Sequence, residues 1–89
     1  MAFRWNNWNL YHATKHGVEP EEAEGVVRRA RPPFPEYCGD ERWVVWGQGE
    51  GGRFLQVVFL LDEDGTVYII HARQLTEQEK RRFRRRAAK

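Results

Sequence analysis

The chain lacks the residues on which several classes of protein depend. Its only cysteine, Cys38, excludes an internal disulfide and favours a reducing, cytoplasmic location. No apolar run approaches the length of about 18 residues that a membrane span requires, and the N-terminus lacks the charged and then apolar order of a signal peptide. We therefore expect a cytoplasmic protein with no membrane partner.

Metal-binding motifs are also missing. Cys38 has no partner in CxxC spacing, and no HExxH pattern accompanies the histidines. His12 and His16 have the i, i+4 spacing that places two ligands on one helical face, but no further motif completes a site. We expect neither a metal nor a cofactor.

The last ten residues contain no acid. They hold seven cations, whereas residues 1–79 hold eight cations and all thirteen acids, so the tail carries +7 and the body −5. Such asymmetry is typical of a protein that holds a polyanion or an acidic partner at one end. The alternative is a solvated, frayed terminus.

A helix start precedes this basic run. Thr76 and Glu79 have the spacing of a capping box, and Glu77 adds a second acid at the positive end of the helix dipole. Phe83 and Ala87 form a short apolar stripe. The sequence predicts one domain over residues 1–89, in which a basic C-terminal helix and tail (76–89) rest lightly on a body (3–75).

Two helices are predicted near the N-terminus. Asn6 or Asn7 caps the first, which runs to about Lys15 with Trp8 and either Tyr11 or His12 on its inner face. The second has Pro20 at its first position, which suits a helix start because proline lacks an N–H there. Its apolar residues recur at helical spacing and form one face: Ala23, Val26, Val27 and Ala30.

The period then changes to that of strands. Residues 42–47, 53–61 and 66–72 are predicted strands, with a short extra strand around 34–37. Residues 62–65 form a hairpin turn in which Gly65 supplies the positive φ. Short turns between consecutive strands indicate an antiparallel sheet, so the predicted class is α+β with three or four strands.

An ordered set of short motifs resembles the BrnT family of small toxins from bacterial type II toxin–antitoxin pairs. The resemblance extends from about Phe3 to Phe83, and its residues are Trp5, Lys15-His16-Gly17-Val18, Glu21-Glu22-Ala23, Asp40-Glu41-Arg42-Trp43, Gly47, Gly52-Arg53-Phe54-Leu55, Val57-Val58-Phe59, Ile69-Ile70-His71-Ala72-Arg73, Thr76, Glu79 and Phe83. Two positions depart from the family. Relatives more often have a small residue, typically serine, in place of His71, and often tyrosine in place of Phe83.

The resemblance implies a fold similar to RelE-type ribonucleases and an RNA cleavage that inhibits translation. It also implies neutralisation by a cognate antitoxin, a small DNA-binding protein of the ribbon-helix-helix type that forms a hetero-oligomer with the toxin. Under this interpretation the cations that contact RNA are Lys15, His16, Lys80, Arg81, Arg82, Arg84 and Arg85.

A metal-independent ribonuclease needs a base, an acid and cations around the reacting phosphate. Arg53 opens one predicted strand and Arg73 closes the next, so we expect them to lie close together and to hold a phosphate between them. The alternative is that each arginine pairs with a nearby acid, such as Glu50 or Glu79.

His71 is the candidate acid or base. It lies two residues before Arg73 on the same predicted face, and a histidine titrates near neutral pH. The catalytic set is therefore Arg53, His71 and Arg73, although a lone histidine in such a strand is more often a half-buried structural residue hydrogen-bonded to a neighbour. Lys15 and His16 either face the RNA or only complement the dipole of the first helix.

Two functions follow from these observations. The first is an RNA-cleaving toxin. The second is a non-catalytic module that binds a protein partner or a nucleic acid after its ribonuclease activity has decayed. Trp43 and Trp46 offer base-stacking surfaces in principle, but core packing is the better interpretation in a domain of this size.

Overall fold

The elements follow the order that the sequence predicts. The computed structural model describes residues 1–87, and its elements in chain order are α1 (Asn7–Thr14), α2 (Pro20–Arg28), β1 (Glu36–Tyr37), β2 (Trp43–Gln48), β3 (Phe54–Leu61), β4 (Val67–Gln74) and α3 (Glu77–Ala87). The α+β class, the two N-terminal helices and the basic C-terminal helix are confirmed. Ala88, Lys89 and the side chain of Ala87, which belong to the predicted tail, lie outside the described part of the chain.

Side-chain caps begin all three helices. The Asn6 side chain accepts a hydrogen bond from the Asn9 amide at 3.0 Å, and the Asn9 side chain accepts one from the Asn6 amide. At α2 the Glu19 amide donates to Glu22 Oε1, beside Pro20 at the first helical position. Each cap satisfies amide groups that have no partner within the helix.

The four strands form one antiparallel sheet in the order β1-β2-β3-β4. The turn between β3 and β4 closes where the Gly65 amide donates to the Asp62 carbonyl at 2.9 Å, with Gly65 at φ +85°. A bulge then interrupts the β3–β4 ladder, since Val58 pairs with His71 while Phe59 pairs with Ile69. The extra residue lies in β4, which bends the strand next to His71.

The core lies between one face of the sheet and the helices α1 and α2. Ala13 of α1 and the α2 residues Ala23, Val26 and Val27 are buried against Val45, Leu55 and Val57 of the sheet. The predicted apolar face of α2 is therefore confirmed. None of the helices within residues 1–87 has the length and the apolar character needed to cross a membrane.

The inner face predicted for α1 is wrong. Trp8 and Tyr11 are 52% and 65% exposed, and the residues that face the sheet are Asn9 and Ala13. Asn9 is fully buried because its amide nitrogen donates to the carbonyl oxygens of Arg4 and Ile69, at 3.0 and 2.9 Å. A hydrogen-bonded polar side chain thus takes the place that an aromatic ring was expected to fill.

The opposite face of the sheet carries α3. The predicted capping box forms, with the Glu79 amide donating to the Thr76 hydroxyl and the Thr76 amide donating to Glu79. Phe83 then packs among three rings, with centroid distances of 6.1 Å to Phe34, 6.5 Å to Trp46 and 6.0 Å to Phe54. Phe83 is thus the residue of α3 that packs against the hydrophobic core of the body.

Candidate active site

Arg53 is bound to the helical layer. Its guanidinium pairs with the carboxylate of Glu22 on α2 and also donates to the carbonyl oxygen of Gly17 at 3.0 Å. The same contacts hold the pKa of Glu22 below its usual value, chiefly through the hydrogen bond from Arg53. Because Gly17 directly follows His16, Arg53 fixes the turn at the C-terminal end of α1.

Arg73 is bound to the start of α3. Its two terminal nitrogens donate to the two carboxylate oxygens of Glu79, at 2.8 and 2.9 Å, and one of them also lies 3.3 Å from Gln56 Oε1. This two-point pairing with Arg73 is the largest cause that lowers the pKa of Glu79 to about 2. The pair ties the last strand to the basic helix.

The phosphate site predicted between Arg53 and Arg73 does not form. Arg73 pairs across the strands with Gln56, whereas Arg53 lies two residues before Leu55, whose side chain faces the helices. Side chains alternate between the two faces of a sheet, so the two guanidinium groups leave on opposite faces. The ion-pair alternative is confirmed for Arg73 and Glu79, while the acid that binds Arg53 is Glu22 and not Glu50.

Two histidines from distant parts of the chain meet at the edge of the sheet. The rings of His16, after α1, and His71, in β4, have centroids 5.2 Å apart and an interplanar angle of 65°. His71 is half-buried, whereas His16 and Lys15 are exposed. Within residues 1–87, none of these three side chains forms a salt bridge with a carboxylate.

The surroundings of His71 disfavour its charged form. Burial is the main cause that lowers its pKa, and the positive charges of His16, Arg73 and Lys15 act in the same direction. His71 is therefore a neutral imidazole at neutral pH, with cations next to it. The predicted shared face of His71 and Arg73 is confirmed, since their cross-strand partners Val58 and Gln56 also lie two residues apart.

We call Lys15, His16, His71 and Arg73 the edge cluster. A neutral imidazole beside a second imidazole and uncompensated positive charge has the components for proton transfer at an anionic phosphate. Arg53 acts on this cluster only through the backbone of Gly17. Sequence reasoning named all of these residues, but it missed that Glu22 holds Arg53.

The basic residues of α3 lie apart from one another on the helix surface. Lys80 pairs with Glu77 at 3.1 Å, while Arg82 and Arg84 lie over the rings of Trp46 and Phe54, 5.6 Å from each centroid. Arg81 and Arg85 are exposed. Cation–π contacts of this kind leave the charge available to an anion, because no carboxylate in the described part of the chain pairs with Arg82 or Arg84.

One tail cation does face an acid of the body. Arg86 pairs with Glu36 of β1 and also lies 4.9 Å from the centroid of Phe34. The sequence offered no signal for this contact, because the two residues are fifty positions apart. It fixes the last turn of α3 against the short edge strand.

Metal ligands do not gather in this structure. Within residues 1–87 no three His, Cys, Asp or Glu side chains come close enough together to hold a metal ion. His12 and His16 contact different partners. His12 Nδ1 donates to the Trp8 carbonyl at 2.7 Å and its ring stacks on Trp8, whereas His16 contacts His71. The chemistry available at the edge cluster is that of its own side chains.

Comparison with known proteins gives no relative. No family model, no curated protein and no solved structure matches the chain. The resemblance to BrnT toxins therefore stays a prediction, and function has to be argued from the edge cluster itself.

Proposed function

We propose that the protein is a metal-independent endoribonuclease that cleaves single-stranded RNA at the edge cluster. The observation that carries this proposal is the pair of histidine rings, 5.2 Å apart, in a cationic setting with one ring half-buried and its pKa lowered. Cleavage at a neighbouring phosphate requires proton transfer, by a base that is neutral at the working pH and an acid beside it.

The proposed reaction uses the 2′-hydroxyl of the RNA as nucleophile. Neutral His71 takes the proton from this hydroxyl, and the 2′-oxygen forms a bond to phosphorus as the bond from phosphorus to the 5′-oxygen breaks. His16 in its protonated form gives a proton to the leaving 5′-oxygen. The products are a 2′,3′-cyclic phosphate and a free 5′-hydroxyl. Lys15 stabilises the charge that develops on the phosphate oxygens.

The two arginines have supporting roles in this scheme. Arg73 keeps the pKa of His71 low through its charge and holds α3 through Glu79. Arg53 positions His16 through the Gly17 carbonyl. The exposed cations of α3, Arg81 and Arg85, and those over aromatic rings bind the phosphates of the flanking RNA.

In the cell we propose the role that the sequence resemblance implies. The protein is then a BrnT-like toxin with a RelE-like fold that acts in the cytoplasm and inhibits translation. Its partner is a cognate antitoxin of the ribbon-helix-helix type. A short ribbon-helix-helix protein encoded beside the gene would support this part of the proposal.

The test is cleavage of an end-labelled RNA by purified protein in the presence of a metal chelator. We expect His71→Gln and His16→Gln each to lower the rate by about 10²- to 10⁴-fold, the usual contribution of an acid or a base. Arg42→Gln is the control, because its guanidinium pairs with Asp40 outside the edge cluster. Intact RNA with the wild type, or full activity of His71→Gln, would refute the proposal.

The pH dependence of the same reaction checks which residue is the base. A base acts when it is unprotonated, so the rate rises as the pH rises through its pKa. Because the pKa of His71 is lowered from 6.5, the rising part of the profile should lie below pH 6.5. A rising part above that value would exclude His71 as the base.

A binding module without catalysis is the second candidate. It is favoured by the pairing of both Arg53 and Arg73 with carboxylates, which neutralises two of the predicted catalytic charges. Such a module would leave RNA intact and bind it with a strong dependence on salt, in proportion to the number of phosphates contacted.

A further inference from the structure

An unusual amount of aromatic surface is exposed on α1. Trp8 is 52% and Tyr11 65% exposed, although rings of this size normally bury most of their area in so small a domain. Both lie on the side of α1 that faces away from the core residues Asn9 and Ala13. An exposed aromatic surface of this kind is typical of a binding site.

The rings are already arranged in a stack. Trp8 lies parallel to His12, with centroids 3.8 Å apart and planes 17° apart, and Tyr68 of β4 continues the series at 6.4 Å and 19°. Tyr11 stands edge-on to His12 at 5.2 Å. The hydrogen bond from His12 Nδ1 to the Trp8 carbonyl holds the imidazole in this orientation. We call these four residues the aromatic platform.

The aromatic platform leads directly to the edge cluster. Trp8, Tyr11 and His12 follow the i, i+3, i+4 pattern that keeps side chains on one side of a helix, and Lys15 caps the C-terminal end of α1 with His16 directly after it. Trp8 and Lys15 are seven residues apart, so they are separated by about 10 Å along the helix axis. At a stacked spacing of about 3.4 Å per nucleotide, this distance corresponds to about three nucleotides.

We propose that the aromatic platform is the base-binding subsite of the RNA, in which two or three bases stack beside the phosphate held at the edge cluster. This inference rests on the proposed function for the place of cleavage, but it names a separate surface. The neighbouring charge selects a nucleic acid as the occupant, because the exposed Lys15 provides positive charge without a paired carboxylate in the described chain, beside the imidazoles of His16 and His71. Stacking on aromatic rings next to cations is the usual way of binding single strands without reading their sequence.

The chemistry also limits what the subsite accepts. Arg4 lies 4.0 Å from the centroid of Tyr68 and is itself paired with Asp62 at 2.9 Å, so the far end of the aromatic platform carries little net charge. Bases in a duplex have both faces covered and cannot stack on the rings. The subsite therefore takes unpaired RNA, and a paired strand has to open before it enters.

The experiment measures binding separately from cleavage. The probe is a fluorescein-labelled 2′-O-methyl RNA of mixed sequence and about ten nucleotides, a length within the usual site sizes for single strands. It cannot be cleaved, because the 2′-oxygen is blocked. A second probe of equal length has the same backbone with its bases removed. Fluorescence anisotropy gives the affinity for each.

The variants are Trp8→Leu and Tyr11→Leu, which keep apolar bulk on α1 but remove the rings. We expect each to bind the methylated RNA roughly 5- to 150-fold more weakly, the loss typical of one stacked base. The base-free probe should bind the wild type weakly and should not distinguish the variants. Tyr37→Leu is the matched control, since Tyr37 is 56% exposed but lies on β1, at the other end of the sheet order from β4.

Circular dichroism of each variant shows whether it is folded, and the anisotropy comparison uses folded variants. Unchanged RNA affinity in both folded variants would overturn the subsite, and would indicate that the exposed rings bind a protein partner instead. Equal affinity of the wild type for the two probes would also overturn it. If RNA is never cleaved but Trp8→Leu still loses affinity, the ribonuclease proposal fails and the subsite stands.

Discussion

Replacing Glu79 by glutamine removes one charge from the contact that joins α3 to the sheet. Glutamine keeps the size of the side chain and still accepts the hydrogen bond from the Thr76 amide, so the capping box survives. What is lost is the negative charge and one of the two hydrogen bonds from Arg73, because an NH2 group replaces the oxygen that accepts from Arg73 Nη2. The substitution therefore tests the pairing with Arg73 while it leaves the cap in place.

The pKa of Glu79 gives the size of the effect. Its fall from 4.5 to about 2 corresponds to at most about 3.4 kcal/mol, at about 1.36 kcal/mol per pKa unit. The Glu79 side chain is 15% exposed and that of Arg73 31%, so solvent screens part of this energy. We expect Glu79→Gln to lower the free energy of unfolding by about 2 kcal/mol at pH 7.

The stability difference between the wild type and Glu79→Gln must disappear in acid, because the protonated Glu79 side chain carries no charge. The folded-state pKa of Glu79 is lowered, so its ionisation stabilises the fold above about pH 4.5, and this stabilisation is lost as the pH falls towards about 2. Wild type and Glu79→Gln should thus converge in stability near pH 2. Urea unfolding at a series of pH values measures both curves.

Glu77→Gln is the control. Glu77 lies in the same turn of α3 and pairs with Lys80, but its side chain is 76% exposed. An exposed pair of this kind is screened by solvent and contributes little to stability. Equal losses for the two variants, or a Glu79 pKa near 4.5 by NMR titration of the folded protein, would refute the assignment of stability to the pairing with Arg73.

Two further predictions concern packing. Asn9→Ala should cost about 2 kcal/mol of unfolding free energy, because it leaves the buried carbonyl of Ile69 and the part-buried carbonyl of Arg4 without their donor. Urea unfolding measures this, with the exposed Asn7→Ala as control, and a loss no larger than that of the control would contradict it. Phe83→Ala should cost about 2 kcal/mol, since its half-buried ring holds α3 to the body. Amide exchange should then speed up in α3 but not in β3, and uniform exchange rates would argue against a separate role for Phe83.

The parts of the fold that could be predicted rest on local chemistry. Pro20, Gly65 and the capping box of Thr76 and Glu79 act over three or four residues, and the structure has each feature where the pattern places it. The predicted inner face of α1 was wrong because this helix has no apolar stripe, so the face that it buries is decided by Asn9. Asn9 binds Arg4 in the N-terminal segment and Ile69 in β4, and Ile69 is sixty residues away in the sequence.

The expected proximity of Arg53 and Arg73 was wrong for a different reason. Arg53 and Arg73 were expected together because they lie near the same end of one hairpin. Cross-strand neighbours share a face only when they are direct partners, and an offset of one residue reverses the side. The meeting of His16 and His71 was equally beyond prediction, because it depends on how α1 packs against the last strand.

The bulge in β4 has a consequence for solubility. β4 is the last strand in the sheet order, and among residues 1–87 only Phe3 adds an isolated bridge beyond it, at Val67. A long straight edge strand would attract a second chain and promote aggregation, whereas a bulge and inward charge oppose such pairing. The bulge lies next to His71, and Arg73 adds a charged side chain two residues beyond it, so this part of the edge cluster also opposes pairing with a second chain. We expect Arg73→Gln to self-associate more readily than the wild type, and light scattering measures the difference.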